Sequence, residues 1–308
     1  MKAGSIRSAL LLTALTAGIL LTGCGAPPGK APAQHSAPAI SNADMLRSMT
    51  VDGRIQACVD TTNWQSELKY VAVMDLPMHC IMIPGKMLLL GLGAGSVARN
   101  YRRAAWNVDV IEPDTSRLAY ARNSFGFTDS SVRVIAGSGR AYLADASHRY
   151  DIILLDCVSS DDYPAEMMTK EFFALAASRL PEAGIFAIAV ESAGWKDEIV
   201  QTLSATLAAA FRQVIVLPIS EPPNKFGSIV LMASNTARND LLRDPERNLD
   251  YSPEWRYGPE YQKAHAWDNH FSIVQTGAPM QTDGNNSWER ILAAIRAEAH
   301  KQPADYLP

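Results

Sequence analysis

The sequence lacks any cluster of basic residues. Its 308 residues include 28 Lys and Arg against 32 Asp and Glu, for a net charge of −4 and an isoelectric point near 5.9. A protein that binds nucleic acid neutralises phosphates with grouped Lys and Arg side chains. The charge pattern therefore argues against a nucleic-acid partner.

Cysteine is also scarce. There are four cysteines, and the three that follow Cys24 are Cys58, Cys80 and Cys157. None of them has a C-x-x-C or Cys/His spacing, so we expect no metal site from them. Two interpretations stay open: Cys58 pairs with Cys80, or all three are small buried side chains.

Long hydrophobic runs are missing. The longest, residues 9–21, is too short to span a bilayer comfortably, but it suits the apolar part of an export signal and follows Lys2 and Arg7. It runs into Leu-Thr-Gly-Cys at 21–24, which resembles a bacterial lipobox. That resemblance implies that Cys24 is lipidated and becomes the first residue of the mature chain. An ordinary cleaved signal with an incidental cysteine is the alternative.

The lipobox implies a location in the bacterial cell envelope. Residues 1–23 would be a lipoprotein signal peptide, and residues 24–44, rich in Ala, Pro and Gly, a flexible tether. The lipid would anchor the chain to a membrane, facing the periplasm or the exterior.

From Lys86 onward, short apolar runs alternate with helical patterns. The apolar runs are 87–90, 106–111, 132–135, 150–155, 185–190, 213–217 and 228–233. Strands that are apolar on both faces and separated by helices form a parallel sheet covered on both sides. We therefore expect an α/β fold, doubly wound and Rossmann-like, with a mostly parallel seven-stranded sheet whose last two strands form an antiparallel edge pair.

This domain is predicted over residues 65–240, with a long helix at 166–180. Before it, residues 45–64 carry an Asp52-Gly53 turn between alternating segments, which predicts a short β-hairpin. Behind it, residues 241–308 form an aromatic-rich extension, expected to be irregular until an amphipathic helix at 288–299.

The first strand of the sheet leads into a glycine-rich loop. Gly91, Gly93 and Gly95 let the backbone approach a ligand, and Glu112 ends the next strand, where a ribose hydroxyl would lie. A dinucleotide loop would have its third glycine at position 96, where this chain has Ser96. The pattern favours an S-adenosyl nucleoside over NAD.

Four later segments sharpen this prediction. They are Gly-Ser-Gly-Arg-Ala-Tyr-Leu at 137–143, Asp-Ile-Ile-Leu-Leu-Asp at 151–156, the stretch 157–166, and Thr-Lys-Glu-Phe-Phe at 169–173. Together with the predicted hairpin they resemble the spermidine synthase (aminopropyltransferase) family, in particular its bacterial spermidine-synthase-like branch. The resemblance implies the fold of AdoMet-dependent methyltransferases and the transfer of an aminopropyl group from decarboxylated AdoMet to a polyamine amine.

The resemblance also implies roles for residues at matching positions. The loop from Gly91 to Gly95 would line the nucleoside and its sulfonium arm, and Glu112 would bind both ribose hydroxyls. Ser138 and Gly139 would contact adenine, and Pro164 would lie over the nucleoside.

Two acids would serve the reaction. Asp156 matches the family's proton acceptor, and Asp161 approximates a second acid on the same loop. The attacking amine must lose a proton, and a carboxylate can accept it while attracting a cationic polyamine. The alternative is that both acids are turn or capping residues.

The chain departs from the family pattern at three positions. Ala94 replaces the Asp that would hold the aminopropyl amine, Val71 stands where a His is expected, and Ser138 replaces an adenine-binding Asp. Without an acid at position 94 the pocket could admit AdoMet, so an AdoMet-dependent methyltransferase is a second hypothesis. Because AdoMet is not expected to be plentiful outside the cytoplasm, a non-catalytic nucleoside- or polyamine-binding lipoprotein is a third.

The expected small molecules are thus decarboxylated AdoMet or AdoMet, used as a substrate, and a polyamine. No metal is expected: His265, Asp268 and His270 lie close together in sequence but are expected to pack or face solvent. A homodimer stays open, and the pair Thr282-Asp283 receives no role.

Overall fold

The computed structural model covers most of the chain after its first 37 residues. The residues it describes are 38–51, 53–128, 130–145, 147–156, 164–219, 223–236, 258–273, 277–299 and 301. They belong to one unit, residues 35–308. The predicted signal peptide, Cys24, Cys157 and Asp161 lie outside the described residues.

A small antiparallel sheet opens the described chain. Its strands are β1 (Ala39–Ala43), β2 (Leu46–Val51) and β3 (Arg54–Asp60), paired in that order. Strands β2 and β3 form a hairpin within the predicted segment 45–64. Strand β1 corrects the predicted tether, which was expected to continue through residue 44. All five residues of β1 are exposed, so no alternation of apolar side chains indicates a strand there.

Seven further strands form the large sheet. They are β4 (Lys86–Leu90), β5 (Asn107–Glu112), β6 (Arg133–Ala136), β7 (Ile152–Asp156), β8 (Ile185–Ser192), β9 (Gln213–Pro218) and β10 (Gly227–Ser234). Their order is β6-β5-β4-β7-β8-β10-β9. Strands β4 to β8 are parallel, and β10 runs antiparallel to both β8 and β9. The predicted mostly parallel seven-stranded sheet with an antiparallel edge pair is confirmed.

The described helices surround this sheet. They are α1 (Lys69–Val73), α2 (Leu76–Cys80), α3 (Ser96–Arg103), α4 (Thr115–Ser124), α5 (Gly139–Asp145), α6 (Lys170–Ser178), α7 (Glu198–Ala208), α8 (Pro259–Asp268) and α9 (Trp288–Ala299). Helix α9 agrees with the prediction for 288–299, whereas α8 occupies a segment that was expected to be irregular.

The helix predicted over 166–180 is shorter than expected. Residues Ala165–Met167 form a 3₁₀ turn instead, and α6 begins only at Lys170. The cause is a side-chain cap, since Thr169 Oγ1 accepts the Phe172 N–H and satisfies an amide that the helix leaves open.

The sheet separates two apolar cores. Successive residues of a strand point to opposite faces. In β4, Met87 and Leu89 enter the core beneath α1, α3, α4 and α8, and Leu88 and Leu90 enter the core beneath α5, α6, α7 and α9. The sheet is therefore covered on both faces, as the uninterrupted apolar runs predict.

The two edges of the sheet differ. Strand β6 is short and begins with the exposed Arg133. Strand β9 is partly covered by the later segment around Phe271, whose N–H donates to the Val216 carbonyl at 3.1 Å and whose carbonyl accepts the Val216 N–H at 2.8 Å.

Of the two interpretations left open for these cysteines, the structure does not contain the pair Cys58–Cys80. Both cysteines are free; Cys58 is fully buried and Cys80 half-buried. Among the described residues, no helix is long and apolar enough to cross a membrane.

Trp288 tests the packing of α9. Its side chain is fully buried, and its Nε1 donates to the Met168 carbonyl at 2.9 Å. We expect Trp288→Ala to lower the free energy of unfolding by about 3–5 kcal/mol, because it leaves a cavity and an unpaired carbonyl. Met280→Ala, which truncates an exposed side chain of the same segment, should change it by less than about 0.5 kcal/mol. Urea unfolding measures both, and equal effects would contradict the packing.

Candidate active site

The glycine-rich loop begins where β4 and β7 end side by side. Gly91 has φ +96, and a Cβ built on it would lie 2.7 Å from the Asp156 carbonyl oxygen. Gly95 has φ +81, and its Cβ would lie 2.4 Å from the Phe127 ring. Residues with a side chain rarely adopt these φ values, and a Cβ has no room at these distances. Both positions therefore require glycine.

Gly93 differs from its two neighbours in the loop. Its φ is +53, and a Cβ built on it would meet nothing within 4 Å. The backbone there faces open space, which leaves room for a ligand to approach the main chain. The three predicted glycines are therefore brought together in one turn, with the open side at Gly93.

Glu112 ties this loop to the end of β5. Its side chain is nearly fully buried, Oε2 accepts the Leu92 N–H at 2.8 Å, and Oε1 accepts the Asp114 N–H at 2.9 Å. Burial raises the pKa of the carboxyl, while the two backbone N–H groups and Arg117 act against that rise. Because each carboxylate oxygen can accept more than one hydrogen bond, both oxygens keep capacity for a ribose hydroxyl.

The predicted adenine-contacting residues lie at the start of α5. Ser138 is exposed, and its Oγ accepts the Ala141 N–H at 3.3 Å. Gly139 is buried, and a Cβ on it would lie 2.9 Å from Leu90 Cδ2 and 3.0 Å from Met167 Sδ. Met167 ends the 3₁₀ turn that Pro164 precedes. The structure therefore brings Ser138, Gly139 and the segment that begins at Pro164 to one place.

Asp156 ends β7, half-buried beside the glycine loop. Burial raises the pKa of its carboxyl to about 7; a hydrogen bond from the Tyr70 side chain and the charge of Arg117 oppose the rise, and the charge of Glu112 adds to it. A carboxyl with this pKa can both release and accept a proton near neutral pH.

Tyr70 is a site residue that the sequence analysis did not single out. It lies on α1, and its side chain hydrogen-bonds the Asp156 carboxyl. The available signal was its place beside Val71, in the segment that departs from the family pattern. Val71 itself is buried in the apolar core, so the structure places no polar side chain at that position.

Ala94 lies in an apolar environment. It is nearly fully buried in a small apolar cluster with Met49, Ala57 and Phe125. The loop position at which the family pattern has a carboxylate therefore packs against the small N-terminal sheet.

Among the described residues, no group of three or more His, Cys, Asp or Glu side chains is placed to hold a metal ion. His265 instead stacks on Tyr261, with ring centroids 5.9 Å apart, and His270 packs against Trp267 at 4.8 Å.

The raised pKa of Asp156 makes a prediction about stability. In the folded protein the Asp156 carboxyl keeps its proton up to about pH 7, whereas the ordinary pKa of an aspartate carboxyl is 3.8. Wild-type stability should therefore fall as pH rises from about 4 to 8, because a charge is then buried. Asp156→Asn avoids this loss. Its free energy of unfolding relative to wild type should therefore rise by roughly 2–4 kcal/mol across that pH range.

Chemical unfolding of both proteins at several pH values measures this change. Asp60 is a control with the opposite pKa shift, because hydrogen bonds from Thr62 lower the pKa of its carboxyl. Asp60→Asn should therefore lose stability relative to wild type as pH rises. A pH-independent difference between Asp156→Asn and wild type would refute the raised pKa.

Comparisons with known proteins show which family the chain resembles. The spermine/spermidine synthase domain model matches residues 69–241. Polyamine aminopropyltransferase 1 of Aquifex aeolicus (strain VF5) is 25% identical over 190 residues, covering 59% of this chain and 66% of the relative. Polyamine aminopropyltransferase of Korarchaeum cryptofilum (strain OPF8) is 23% identical over 224 residues, covering 66% and 67%. The chain thus spans about two thirds of the length of these relatives.

Solved structures share the fold. A probable spermidine synthase from Corynebacterium glutamicum ATCC 13032 superposes with a TM-score of 0.62 at 17% identity, covering 84% of this chain and 98% of that chain. Spermidine synthase from Thermotoga maritima gives a TM-score of 0.55 at 18% identity, covering 70% and 79%. Because the domain match extends over more than half of the sequence, the chain belongs to the spermine/spermidine synthase family.

Proposed function

We propose that this chain transfers an aminopropyl group from decarboxylated AdoMet to the amine of a polyamine. The observation that carries the proposal is Asp156, a carboxyl with a pKa raised to about 7 next to a glycine loop that is open at Gly93. The names of the two relatives, both polyamine aminopropyltransferases, support the same reaction.

The donor would lie along the carboxyl ends of β4 to β7. The main chain at Gly93 would approach the sulfonium arm, and Glu112 would accept the ribose hydroxyls with the lone pairs that its two backbone donors leave free. Ser138 and Gly139 on one side and Pro164 on the other would hold the adenine.

In the reaction, the acceptor amine attacks the methylene carbon of the aminopropyl group that is bonded to the sulfonium sulfur. A C–N bond forms, the C–S bond breaks with its electrons moving to sulfur, and methylthioadenosine leaves. Asp156 takes the proton that the amine loses, and the Tyr70 side chain holds the carboxylate in place. Asp161, outside the described residues, would add the second negative charge that attracts a cationic acceptor.

Methyl transfer from AdoMet is a second candidate, and one observation favours it. Ala94 contributes a methyl group to an apolar cluster at the position where a carboxylate would bind the free amine of decarboxylated AdoMet. An alanine there does not repel the carboxylate of AdoMet. The two candidates therefore differ in which donor binds more tightly.

Calorimetric titration and product analysis separate these functions. We expect decarboxylated AdoMet with putrescine to yield methylthioadenosine, and Asp156→Asn to lower kcat by about 10²–10⁴-fold while nucleoside affinity stays near wild type. Glu112→Ala should instead weaken nucleoside binding, because it removes the ribose acceptor.

The other outcomes are equally specific. Tight binding of AdoMet without consumption of putrescine would favour methyl transfer. If neither donor nor methylthioadenosine binds the purified chain, aminopropyl transfer is wrong and a non-catalytic binding lipoprotein remains.

The location is part of the same proposal. The apolar run at 9–21 and the lipobox-like residues 21–24 support a lipoprotein of the bacterial cell envelope, anchored through Cys24. Acyl chains on this cysteine would hold the chain at a membrane, because each buried methylene contributes about 0.8 kcal/mol.

Replacing the lipidated residue tests the anchor. We expect Cys24→Ala to move the chain out of the membrane fraction and to abolish incorporation of labelled palmitate, whereas Cys80→Ala should do neither. A Cys24→Ala chain that still fractionates with membranes would contradict lipidation at this residue.

A further inference from the structure

Arg140 joins the two segments that would hold the adenine. It directly follows Gly139 at the start of α5, and its Nη1 donates to the Glu166 carbonyl at 2.5 Å, inside the 3₁₀ turn. The same nitrogen lies 3.3 Å from Thr169 Oγ1. The guanidinium therefore bridges the Ser138–Gly139 turn and the turn after Pro164.

Asp283 orients this guanidinium from a distant part of the sequence. Its Oδ1 accepts Arg140 Nη1 at 2.8 Å, its Oδ2 accepts Arg140 Nη2, and Oδ1 also accepts the Thr169 hydroxyl at 2.7 Å. A bidentate ion pair of this kind fixes the plane of the guanidinium as well as its position. Arg140 and then Thr169 hold the pKa of the Asp283 carboxyl below its usual value, so it is ionised at neutral pH.

The segment that carries Asp283 is itself held on both sides. The Asp283 N–H donates to Glu171 Oε2 at 2.9 Å, and the Gln281 carbonyl accepts the Lys170 N–H at 2.9 Å. Five residues further on, Trp288 is buried in the apolar core, and its Nε1 donates to the Met168 carbonyl just before α6. The carboxylate thus stands on a fixed support and can hold Arg140 in one orientation.

Stability alone does not account for this arrangement. The side chains of Arg140 and Asp283 are 27% and 45% exposed, and ion pairs exposed to this extent contribute little to folding. What the pair fixes is geometry. Met167 Sδ lies 3.0 Å from where a Cβ of Gly139 would be, so a small shift of the turn would change the gap between the two adenine-binding segments.

We propose that Asp283 is a positioning residue of the nucleoside site, acting through Arg140 to set the Pro164–Met167 segment against Ser138 and Gly139. This inference rests on the proposed function, because it assumes that adenine lies between these segments. Asp283 falls outside residues 69–241, the part that matches the family domain. The extension after that domain therefore helps to position the proposed binding site for the adenosyl group.

The test is calorimetric titration of the full chain with methylthioadenosine. Asp283→Ala and Arg140→Ala should each weaken binding about tenfold, and the double variant should bind no more weakly than Arg140→Ala alone, because Asp283 acts through Arg140. In the steady state, KM for the nucleoside donor should rise by a similar factor, with kcat and the KM for the amine unchanged.

Glu198→Gln is the matched control. It breaks another bidentate pair, Arg290 with Glu198, whose side chains are 61% and 48% exposed and which joins α9 to α7 rather than the two adenine-binding segments. We expect it to leave methylthioadenosine affinity at the wild-type value.

Three results would overturn the inference. If Asp283→Ala binds methylthioadenosine with wild-type affinity, Asp283 has no positioning role, and the proposed function is unaffected. An equal loss of affinity in Glu198→Gln shows that any loosening of the extension has the same effect. No binding by the unaltered chain overturns the proposed function and this inference together.

Discussion

The close approach of residue 91 to the main chain of Asp156 is the constraint on which the site depends. Strands β4 and β7 are neighbours in the sheet, and both end at the same edge. The chain leaving β4 must turn away at once, and only glycine can do so here, because a Cβ at position 91 would lie 2.7 Å from the Asp156 carbonyl oxygen. The turn places an exposed main chain and a carboxyl group side by side.

The surroundings of the two acids then separate their properties. Glu112 is held by two backbone N–H groups, which offset part of the effect of burial on its pKa. At Asp156, burial and the charge of Glu112 outweigh the Tyr70 hydrogen bond and the charge of Arg117, and the pKa rises to about 7. Two carboxyl groups at the same sheet edge thereby differ in the balance of effects that sets the pKa of each.

Most of the fold could be predicted from the sequence because its strands are apolar on both faces and its glycine loop has a fixed place after the first of them. The exceptions have physical causes. Strand β1 has no buried side chain, so its pairing with β2 depends on backbone hydrogen bonds and on exposed polar contacts such as Ser41 Oγ with Ser48 Oγ, which composition does not reveal. Helix α8 buries Gln262 and Lys263 as well as alanines, which hides its apolar face.

In the site, the residues that follow strands could be predicted, whereas those that arrive from elsewhere could not. Gly91, Glu112 and Asp156 each have a defined position relative to a strand. Tyr70 and Asp283 reach the site only through tertiary packing, and no local pattern links Asp283 to Arg140, which lies 143 residues earlier.

The bridge between Val216 and Phe271 has a consequence for the behaviour of the protein in crowded surroundings. Strand β9 ends the sheet, and an uncovered edge offers free N–H and carbonyl groups on which a second chain can add a strand. The segment around Phe271 occupies one pair of these groups, and the opposite edge is kept short, with an arginine at its start. Pairing with the segment around Phe271 thus protects the β9 edge of the sheet against edge-to-edge aggregation. The short length of β6 and the charge of Arg133 protect the opposite edge.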